Sequence, residues 1–223
     1  MTSTAMDIAQ ALYGTRETGY YSAPRFDLLA MLPRGSGLRL LELGSGHGAT
    51  LRAAKQQRLA SYTVGIDLVA PPDPEGIDRI LCGDIETLTL DLPEESFDAI
   101  LCADVLEHLV DPWRIVRVLA RHLRSGGLFL ASIPNFRNHR VLSAILFQGD
   151  FRYAEAGLLD RSHLRFFCRS NIRQLFEQAG LVIETMETNM GAYGLRHKVL
   201  DRLTLGLLHD FFVFQFRTRA KKP

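Results

Sequence analysis

The sequence predicts an α/β fold built on a doubly wound, mostly parallel sheet. Short apolar runs alternate with longer stretches of helical periodicity, which is typical of βα units. A glycine cluster directly follows the first apolar run, where folds of this class turn from a strand into a helix. The chain has 223 residues, which is enough for one such domain and too few for two.

Seven apolar, β-prone runs are the predicted strands, at residues 38–43, 62–67, 80–82, 97–102, 128–133, 181–186 and 211–218. The predicted helices cover residues 22–32, 49–58, 112–122, 170–179 and 196–208. Pro112 suits a first helical turn, and Ser170 and Gly180 suit an N-cap and a C′ stop. We therefore expect residues 1–223 to form a single domain.

A long insertion interrupts this alternation after the fifth strand. Residues 135–169 exceed what a simple β-to-α connection needs, and such long loops are often lids or binding elements. The insertion joins an apolar piece, residues 141–147, to a polar cluster, residues 160–165, which suits a cover with a dry inner face. We expect it to form a cap over the ligand edge of the sheet.

Charge and cysteine content exclude several classes of protein. The formal net charge is +1, which gives no global attraction to nucleic acid or to an anionic membrane. Cys82, Cys102 and Cys168 form no C-x-x-C pair, so we expect neither a disulfide framework nor a metal site. Residues 1–10 lack a secretory signal, and charges interrupt the apolar stretch 199–216, so no membrane span is expected. These features favour a cytoplasmic protein.

The glycine cluster is the first candidate binding element, and it comprises Glu42, Leu43, Gly44, Ser45, Gly46, His47 and Gly48. Glycine permits a tight turn and a close ligand approach, and the following helix presents free N–H groups. Glu42 either sets this turn by accepting backbone hydrogen bonds or binds a cofactor amino group through water. The same letters satisfy the dinucleotide pattern G-x-G-x-x-G/A, so this element alone leaves the cofactor open.

Further candidates follow the next three strands. Asp67, with Leu68 beside it, lies where a carboxylate accepts hydrogen bonds from a ribose diol. Asp84 can accept from an adenine amino group while Ile85 packs on the ring. Cys102, Ala103 and Asp104 follow the fourth strand, where Asp104 touches the ligand or caps the next helix. All these loops lie at carboxyl ends of parallel strands, where open α/β sheets bind ligands.

These motifs together resemble a known family. The E-x-G-x-G-x-G motif, Gly-Ile-Asp67, Gly83-Asp84-Ile85 and F-D-A-I-L-C-A-D-V-L-E-H-L-x-D-P match class I S-adenosylmethionine-dependent methyltransferases of the ubiquinone/menaquinone-biosynthesis-like group, over about residues 20–186. The resemblance implies a seven-stranded Rossmann-like sheet with an antiparallel last strand. It also implies S-adenosylmethionine as cofactor and S-adenosylhomocysteine as product, with the methionine part beside residues 44–48, the ribose at Asp67 and the adenine at Asp84.

A narrower resemblance concerns the acceptor. Residues 160–167 (DRSHLRFF) and the pattern Tyr20-Tyr21-x-x-x-Arg25 are similar to segments of methyltransferases linked to cell-surface glycan synthesis. This similarity implies a small-molecule or glycan acceptor.

Two histidines are the candidate catalytic residues. Methyl transfer is an in-line displacement that needs no metal in principle, but an alcohol acceptor must lose its proton. His163 lies in the insertion expected to cover the ligand edge, and His108 follows the fourth strand. The alternatives are that His163 belongs to a salt-bridged loop latch and that His108 is a helix-surface or packing residue.

Three functions stay open on the sequence. The leading one is O-methylation of a small molecule or glycan. A nicotinamide-dependent oxidoreductase would use the same glycine turn, and a non-catalytic protein would bind S-adenosylmethionine without turnover. Nucleic acid is not the expected partner, because residues 103–105 read Ala-Asp-Val where an exocyclic-amine methyltransferase carries an Asn/Asp-Pro-Pro-aromatic turn. The oligomeric state is open.

Overall fold

Seven strands form one sheet in the computed structural model, which describes residues 23–35, 37–190, 199 and 201–223. The strands are β1 (Leu38–Leu43), β2 (Ala60–Asp67), β3 (Arg79–Cys82), β4 (Phe97–Ala103), β5 (Leu123–Pro134), β6 (Val182–Asn189) and β7 (Gln215–Lys221). Their order across the sheet is β3-β2-β1-β4-β5-β7-β6.

Strand directions confirm the predicted fold class. Strands β1 to β5 pair in parallel, and β7 pairs antiparallel with both β5 and β6. Strand β6 therefore runs in the same direction as β1 to β5. The strand order changes sides between the neighbouring strands β1 and β4: the chain leads from β1 to β2 on one side and from β4 to β5 on the other. Such a switch point is where open α/β sheets bind ligands.

Six α-helices lie wholly within the described ranges and connect or flank the strands: α1 (Phe26–Leu29), α2 (Ala49–Gln56), α3 (Pro112–His122), α4 (His139–Ser143), α5 (Arg169–Glu177) and α6 (His209–Phe212). A 3₁₀-helix at Leu106–His108 follows β4, and a π-helix at Ala144–Gln148 extends α4. Helix α3 begins as its sequence predicts, with Pro112 in the first turn. The Asp111 carboxylate caps it by accepting the Arg114 N–H at 2.9 Å.

The sheet is covered on both faces, as a doubly wound fold requires. Alternate strand residues enter two apolar clusters, because successive side chains of a strand point to opposite faces. Leu41, Ile100 and Phe129 face the cluster covered by α3 and α5. Leu40 and Leu101 face the other cluster, which α1 and α2 cover.

Several predicted boundaries were wrong, most clearly in the last aromatic run. Residues 209–212 are helical, and the strand predicted at 211–218 begins at Gln215. The reason is tertiary: Asn135 Nδ2 donates to the carbonyls of Asp210 at 2.7 Å and Val213 at 2.9 Å, which binds this stretch to the insertion instead of a strand ladder. Strand β5 begins at Leu123, five residues before its predicted start.

Helix boundaries also differ from the prediction. Helix α5 begins one residue early and has Cys168 as its N-cap, not Ser170. Helix α1 covers a short part of the predicted 22–32, and residue 22 lies outside the described residues. The predicted helix 196–208 lies partly outside them as well; residues 201–203 are helical and residues 204–208 form turns. No helix within the described ranges has the length and apolar character that crossing a membrane requires.

The first prediction concerns the covered face of the sheet. Phe129 is fully buried, and its ring lies 5.4 Å from that of Phe176 on α5. Phe129→Ala should lower the free energy of unfolding by about 3–5 kcal/mol, because it leaves a cavity between β5 and α5. Urea unfolding measures this loss. Phe147→Ala is the matched control: its ring is 84% exposed, so its effect should stay within about 0.5 kcal/mol. Equal effects of the two substitutions would contradict this assignment of the core.

Candidate cofactor and acceptor site

The glycine turn between β1 and α2 has the backbone that its composition predicts. Gly44, Gly46 and Gly48 have φ values of +71°, +51° and +74°, a region that other residues rarely adopt. The Gly44 N–H donates to the Ile66 carbonyl at 2.8 Å, which fixes the turn against β2. A Cβ atom on Gly44 would lie 2.3 Å from Val105 Cγ2, so the turn also packs tightly against the segment after β4.

Asp67 ends β2, as predicted, and its carboxylate contacts the glycine turn. Asp67 Oδ2 accepts the Gly46 N–H at 2.7 Å, and Oδ1 lies 3.4 Å from the Val69 N. The residue is 3% exposed, and Leu68 follows it at the carboxyl edge of the sheet. The structure thus brings Asp67 and the turn together; a ribose contact stays a prediction.

Asp84 and Ile85 follow β3 at the same edge of the sheet. Asp84 Oδ1 accepts the Glu86 N–H at 2.9 Å, and Ile85 is buried. The Glu86 carboxylate accepts the N–H groups of Val110 at 2.9 Å and Asp111 at 2.8 Å. These bonds tie the loop after β3 to the loop after β4, so the predicted adenine-binding loop and the loop that contains Asp104 are held at a fixed spacing.

Glu42 is buried below the turn and lacks full hydrogen bonding. Among the described residues, its Oε2 atom has no hydrogen-bond partner. Burial raises the pKa of Glu42 to about 8, although a hydrogen bond from Thr50 and the charge of Arg25 oppose the shift. A cation bound at this edge would favour the charged carboxylate, so Glu42 is suited to face a positively charged ligand group.

Asp104 is held by residues from two other elements. Arg25 Nη1 lies 2.5 Å from Asp104 Oδ2, and Gln215 Nε2 donates to Asp104 Oδ1. Burial raises the pKa of Asp104, although Arg25 opposes the shift. The alternative that Asp104 caps the next helix is wrong: the 3₁₀-helix has Val105 as its N-cap, and α3 is capped by Asp111. The φ of Asp104 is +55°, a conformation uncommon outside glycine and held here by these contacts.

Arg25 was not predicted as a binding residue, although it lies at this edge of the sheet. It also pairs with Asp27, at 2.9 Å from Nε to Oδ1, and its N–H donates to Thr50 Oγ1 at 3.3 Å. The pattern Tyr20-Tyr21-x-x-x-Arg25 was the signal that could have found it. Tyr20 and Tyr21 themselves lie outside the described residues.

Cys102 and Ala103, the other two predicted binding residues at the end of β4, can offer a ligand only main-chain groups. Cys102 is fully buried, and burial raises the pKa of its thiol well above the ordinary value, which keeps it protonated and a weak nucleophile. Ala103 carries no polar side chain. A ligand at this tip would therefore contact main-chain atoms or Asp104.

The two predicted catalytic histidines lie together. Their ring centroids are 4.8 Å apart in an edge-to-face arrangement. His163 Nδ1 lies 3.3 Å from the Leu158 carbonyl oxygen, and His108 Nδ1 lies 3.1 Å from that of Ser162. Because a carbonyl only accepts hydrogen bonds, these contacts place a proton on Nδ1 and make Nε2 the basic nitrogen of each neutral ring. His163 is buried, while His108 is partly exposed.

Glu107 completes this group and was not predicted as a site residue. It is 1% exposed, and neither carboxylate oxygen has a hydrogen-bond partner among the described residues. Oε1 lies 4.0 Å from His163 Nε2, and burial raises the pKa of Glu107 well above its ordinary value. Its backbone carbonyl accepts the N–H groups of Leu164 at 2.8 Å and Arg165 at 2.9 Å. The motif Leu-Glu-His contains this residue, but its burial could not be predicted because it depends on the insertion.

The polar cluster of the insertion also makes the contacts expected of a latch. Asp160 Oδ1 accepts the Ser162 N–H at 2.9 Å, and Arg161 pairs with Glu155. Among the described residues, one ligand atom from each of Glu107, His108 and His163 lies within 4.8 Å of the others, and these are donor types that divalent metals accept. The sequence predicted no metal site, and that expectation stays a prediction.

Comparison with known proteins identifies the class of this site. The sequence model of a methyltransferase domain family matches residues 17–186. The ubiquinone biosynthesis O-methyltransferase of Aeromonas salmonicida is 24% identical over 160 residues, which cover 67% of this chain and 65% of that protein. The protein of the same name from Xanthomonas oryzae pv. oryzae is 34% identical over 122 residues, 51% of this chain and 47% of that protein. The chain thus spans about half to two-thirds of the length of these relatives.

Solved structures share the fold. A methyltransferase from Haloferax volcanii, solved in complex with the activator Trm112, has a TM-score of 0.61 at 19% identity and covers 97% of this chain and 95% of its own. An S-adenosylmethionine-dependent methyltransferase from Mesorhizobium loti has a TM-score of 0.60 at 23% identity over 88% of this chain and 96% of its own. The family match covers most of the chain and includes every strand-end motif from Glu42 to Asp104. The chain therefore belongs to the methyltransferase domain family, in its class I, ubiquinone-biosynthesis-like group, and its cofactor is S-adenosylmethionine.

Proposed function

We propose that this protein transfers a methyl group from S-adenosylmethionine to a hydroxyl group of a small-molecule or glycan acceptor in the cytoplasm. The observation that carries the proposal is the histidine pair, His108 and His163, at the loop that follows β4. The relatives from Aeromonas and Xanthomonas are named as O-methyltransferases, which supports oxygen as the methyl acceptor. The family match favours this function over the nicotinamide-dependent oxidoreductase that the glycine turn alone allowed.

The residues at the sheet edge fit the cofactor. The Gly44 to Gly48 turn gives the close backbone approach that its methionine part requires, and Asp67 and Asp84 offer carboxylates for the ribose and the adenine amine. Glu42, buried with an unbonded oxygen, would face the cationic part. When bound, S-adenosylmethionine supplies an activated methyl group, and the protein has to orient it and receive a proton from the acceptor.

The histidine pair accepts the proton that the acceptor hydroxyl loses. A hydroxyl becomes a better nucleophile as its proton passes to a base within hydrogen-bond reach. The basic nitrogen of each ring is Nε2, since Nδ1 lies against a backbone carbonyl. The buried Glu107 carboxyl lies beside His163 and stabilises an imidazolium there when it is ionised.

The insertion, residues 135–169, is proposed to cap the acceptor within the single domain. Its contacts with Glu107 place Leu164 and Arg165 directly over the loop after β4, which supports this role. One expectation about the cap was wrong. The apolar piece 141–147 does not form a dry inner face throughout, because Val141 is buried while Leu146 and Phe147 are exposed.

An acceptor screen tests the function. Release of S-adenosylhomocysteine would be measured with sugars, nucleotide-sugars, phenols and quinones, and turnover with a hydroxyl acceptor is the expected result. Cofactor binding without turnover across the panel would favour the non-catalytic alternative. Tight binding of NAD together with failure to bind S-adenosylhomocysteine would overturn the proposal.

Asp67 should be required for cofactor affinity. Asp67→Ala removes both the proposed ribose contacts and the bond to the Gly46 N–H, and each hydrogen bond contributes about 1 kcal/mol net. We expect S-adenosylhomocysteine to bind at least about tenfold more weakly in calorimetry. Asp73→Ala, an exposed aspartate in the following loop, is the control and should bind normally. Unchanged affinity in Asp67→Ala would contradict the ribose assignment.

Cofactor binding should release a proton from Glu42. The raised pKa of about 8 keeps free Glu42 largely protonated at pH 7. A bound cation favours the carboxylate, so affinity should rise with pH up to about 8 and level off above it. Calorimetry at pH 7 in buffers of different ionisation enthalpy counts the protons released. Glu42→Gln should release none from this position, whereas Glu184→Gln, ion-paired with Arg219 on the β6–β7 ladder, should behave as the unsubstituted protein. Identical proton release in the two variants would refute the role of Glu42.

His163→Ala should lower turnover roughly a hundredfold or more while S-adenosylhomocysteine affinity stays nearly unchanged, as for loss of a general base. His122→Ala is a matched control, because His122 is also buried with Nδ1 against a carbonyl, 3.1 Å from Pro93 O, but lies on α3. Turnover of His163→Ala at the unsubstituted rate on the true acceptor would establish the latch alternative. His108→Ala measured alongside tells which ring takes the proton.

A further inference from the structure

The Glu86 carboxylate, which the proposed function does not use, bridges two loops beside the cofactor edge. Glu86 lies in the loop after β3, and both of its carboxylate oxygens accept hydrogen bonds from the loop after β4. Oε2 accepts the Val110 N–H at 2.9 Å, and Oε1 accepts the Asp111 N–H at 2.8 Å. Hydrogen bonds to a charged acceptor are stronger than those between neutral groups, and a pair that engages both oxygens also fixes orientation. Glu86 therefore holds the second loop in a defined position.

The end of the bridge at Glu86 is a closed turn. The N–H groups of Thr87 and Leu88 donate to the Asp84 carbonyl at 2.9 and 2.7 Å. The Asp84 carboxylate, which is predicted to bind the adenine amine, accepts the Glu86 N–H at 2.9 Å. The Arg114 guanidinium of α3 donates to the Glu86 carbonyl at 2.5 Å, which adds another bond between the same two segments. Glu86 is thus bonded directly to the proposed adenine ligand.

The other end of the bridge is next to the histidine pair. His108 is the last residue of the 3₁₀-helix after β4, and only Leu109 separates it from Val110. The Leu109 N–H donates back to the Leu106 carbonyl at 3.4 Å, so the segment is compact. A displacement of Val110 would therefore also displace His108.

Capping of α3 does not account for this bridge. The helix has its own cap, because the Asp111 carboxylate accepts the Arg114 N–H at 2.9 Å. Pro112, at the first helical position, has no N–H that needs a partner. The bond from Val110 to Glu86 lies in an exposed environment, where water can replace a carboxylate. Glu86 thus adds little to helix formation, whereas it fixes the distance between the two loops.

We propose that Glu86 is a positioning residue for methyl transfer, which holds the loop that carries His108 at a set distance from the loop that binds the adenine. The proposal rests on the proposed function, in which Asp84 binds the adenine amine and the histidine pair takes the acceptor proton. In-line transfer tolerates little displacement, since a misplacement of about 1 Å can lower the rate about a hundredfold. Cofactor binding that orders the Asp84 turn also orders Val110 through the Glu86 carboxylate.

Deuterium exchange at backbone amides of the full chain tests this coupling without an acceptor. In the unsubstituted chain, S-adenosylhomocysteine should slow exchange at residues 84–88 and also at residues 108–111. In Glu86→Ala it should still slow exchange at 84–88, but the slowing at 108–111 should fall at least about fivefold. Asp91→Asn is the control, because this carboxylate lies in the same loop, is 94% exposed and pairs only with Arg79 among the listed ion pairs of the described residues.

Two results of the exchange experiment would overturn the proposal. One is slowing at residues 108–111 that is as large in Glu86→Ala as in the unsubstituted chain. The other is slowing at 84–88 without any at 108–111 in the unsubstituted chain, which would leave the cofactor assignment intact.

Steady-state kinetics on an acceptor found by the screen separates positioning from cofactor binding. Glu86→Ala should lower kcat about tenfold or more, while KM for S-adenosylmethionine stays within about twofold. Glu86→Gln retains one acceptor oxygen and should give an intermediate kcat. A raised KM with unchanged kcat would contradict the proposal, because Glu86 would then act on cofactor binding alone.

Thermal unfolding shows whether the variants are folded, and each should unfold within about 4 °C of the unsubstituted chain. If Glu86→Ala does not fold, the milder Glu86→Gln takes its place in both experiments, with the same outcomes. Absence of turnover on every acceptor would count against the proposed function alone, because the exchange experiment needs only S-adenosylhomocysteine. Failure to bind S-adenosylhomocysteine would overturn both proposals.

Discussion

Four carboxylates lie around the carboxyl ends of β1, β2 and β4, and the architecture of the site depends on how the fold accommodates them. Parallel strands bring their ends to one edge, so Glu42, Asp67, Asp104 and Glu107 arrive there together. Burial raises the pKa of three of them, Glu42, Asp104 and Glu107. The four carboxylates differ in their partners. Asp104 is paired with Arg25, and Asp67 accepts a backbone N–H. Among the described residues, Glu42 and Glu107 have carboxylate oxygens without a hydrogen-bond partner. A cationic cofactor bound at this edge would relieve part of the repulsion, so its binding would also stabilise the folded protein.

The proposed cofactor position and the histidine pair depend on two different parts of the chain. The glycine turn and the loops after β2 and β3 surround the proposed cofactor position and belong to the core sheet. The insertion contributes His163 and buries Glu107 through backbone hydrogen bonds to its carbonyl. Under the proposed function the insertion builds the acceptor side and the core sheet builds the cofactor side, so acceptor preference can change while the cofactor edge is retained.

The sequence predicts the sheet and the backbone of the glycine turn well because both depend on local signals. Strand β1, the glycine turn and Pro112 at the start of α3 follow from apolar runs, positive-φ glycines and the fixed φ of proline. The last aromatic run misleads, because Asn135 takes carbonyl groups that a strand would have paired. Arg25 and Glu107 were not predicted as site residues for a similar reason, because each is held by residues that are distant in the sequence. Arg25 is held by Asp104, 79 positions away. Glu107 is held by the insertion, more than 50 positions away. The net charge of +1 for the whole chain also averages over an uneven distribution, because residues 135–169 contain six arginines and three acidic residues.

The strand order has a consequence for how the chain assembles in time. Strand β7 lies between β5 and β6, although it is synthesised last. Strand β6 pairs with β7, so it has no place in the sheet until the ribosome has released residues 215–221. The five parallel strands can associate earlier, and during that interval the unpaired edge of β5 is open to contacts with other nascent chains. Insertion of β7 closes that edge and brings Gln215 to Asp104, so the final strand to be made completes both the sheet and the polar network at the tip of β4.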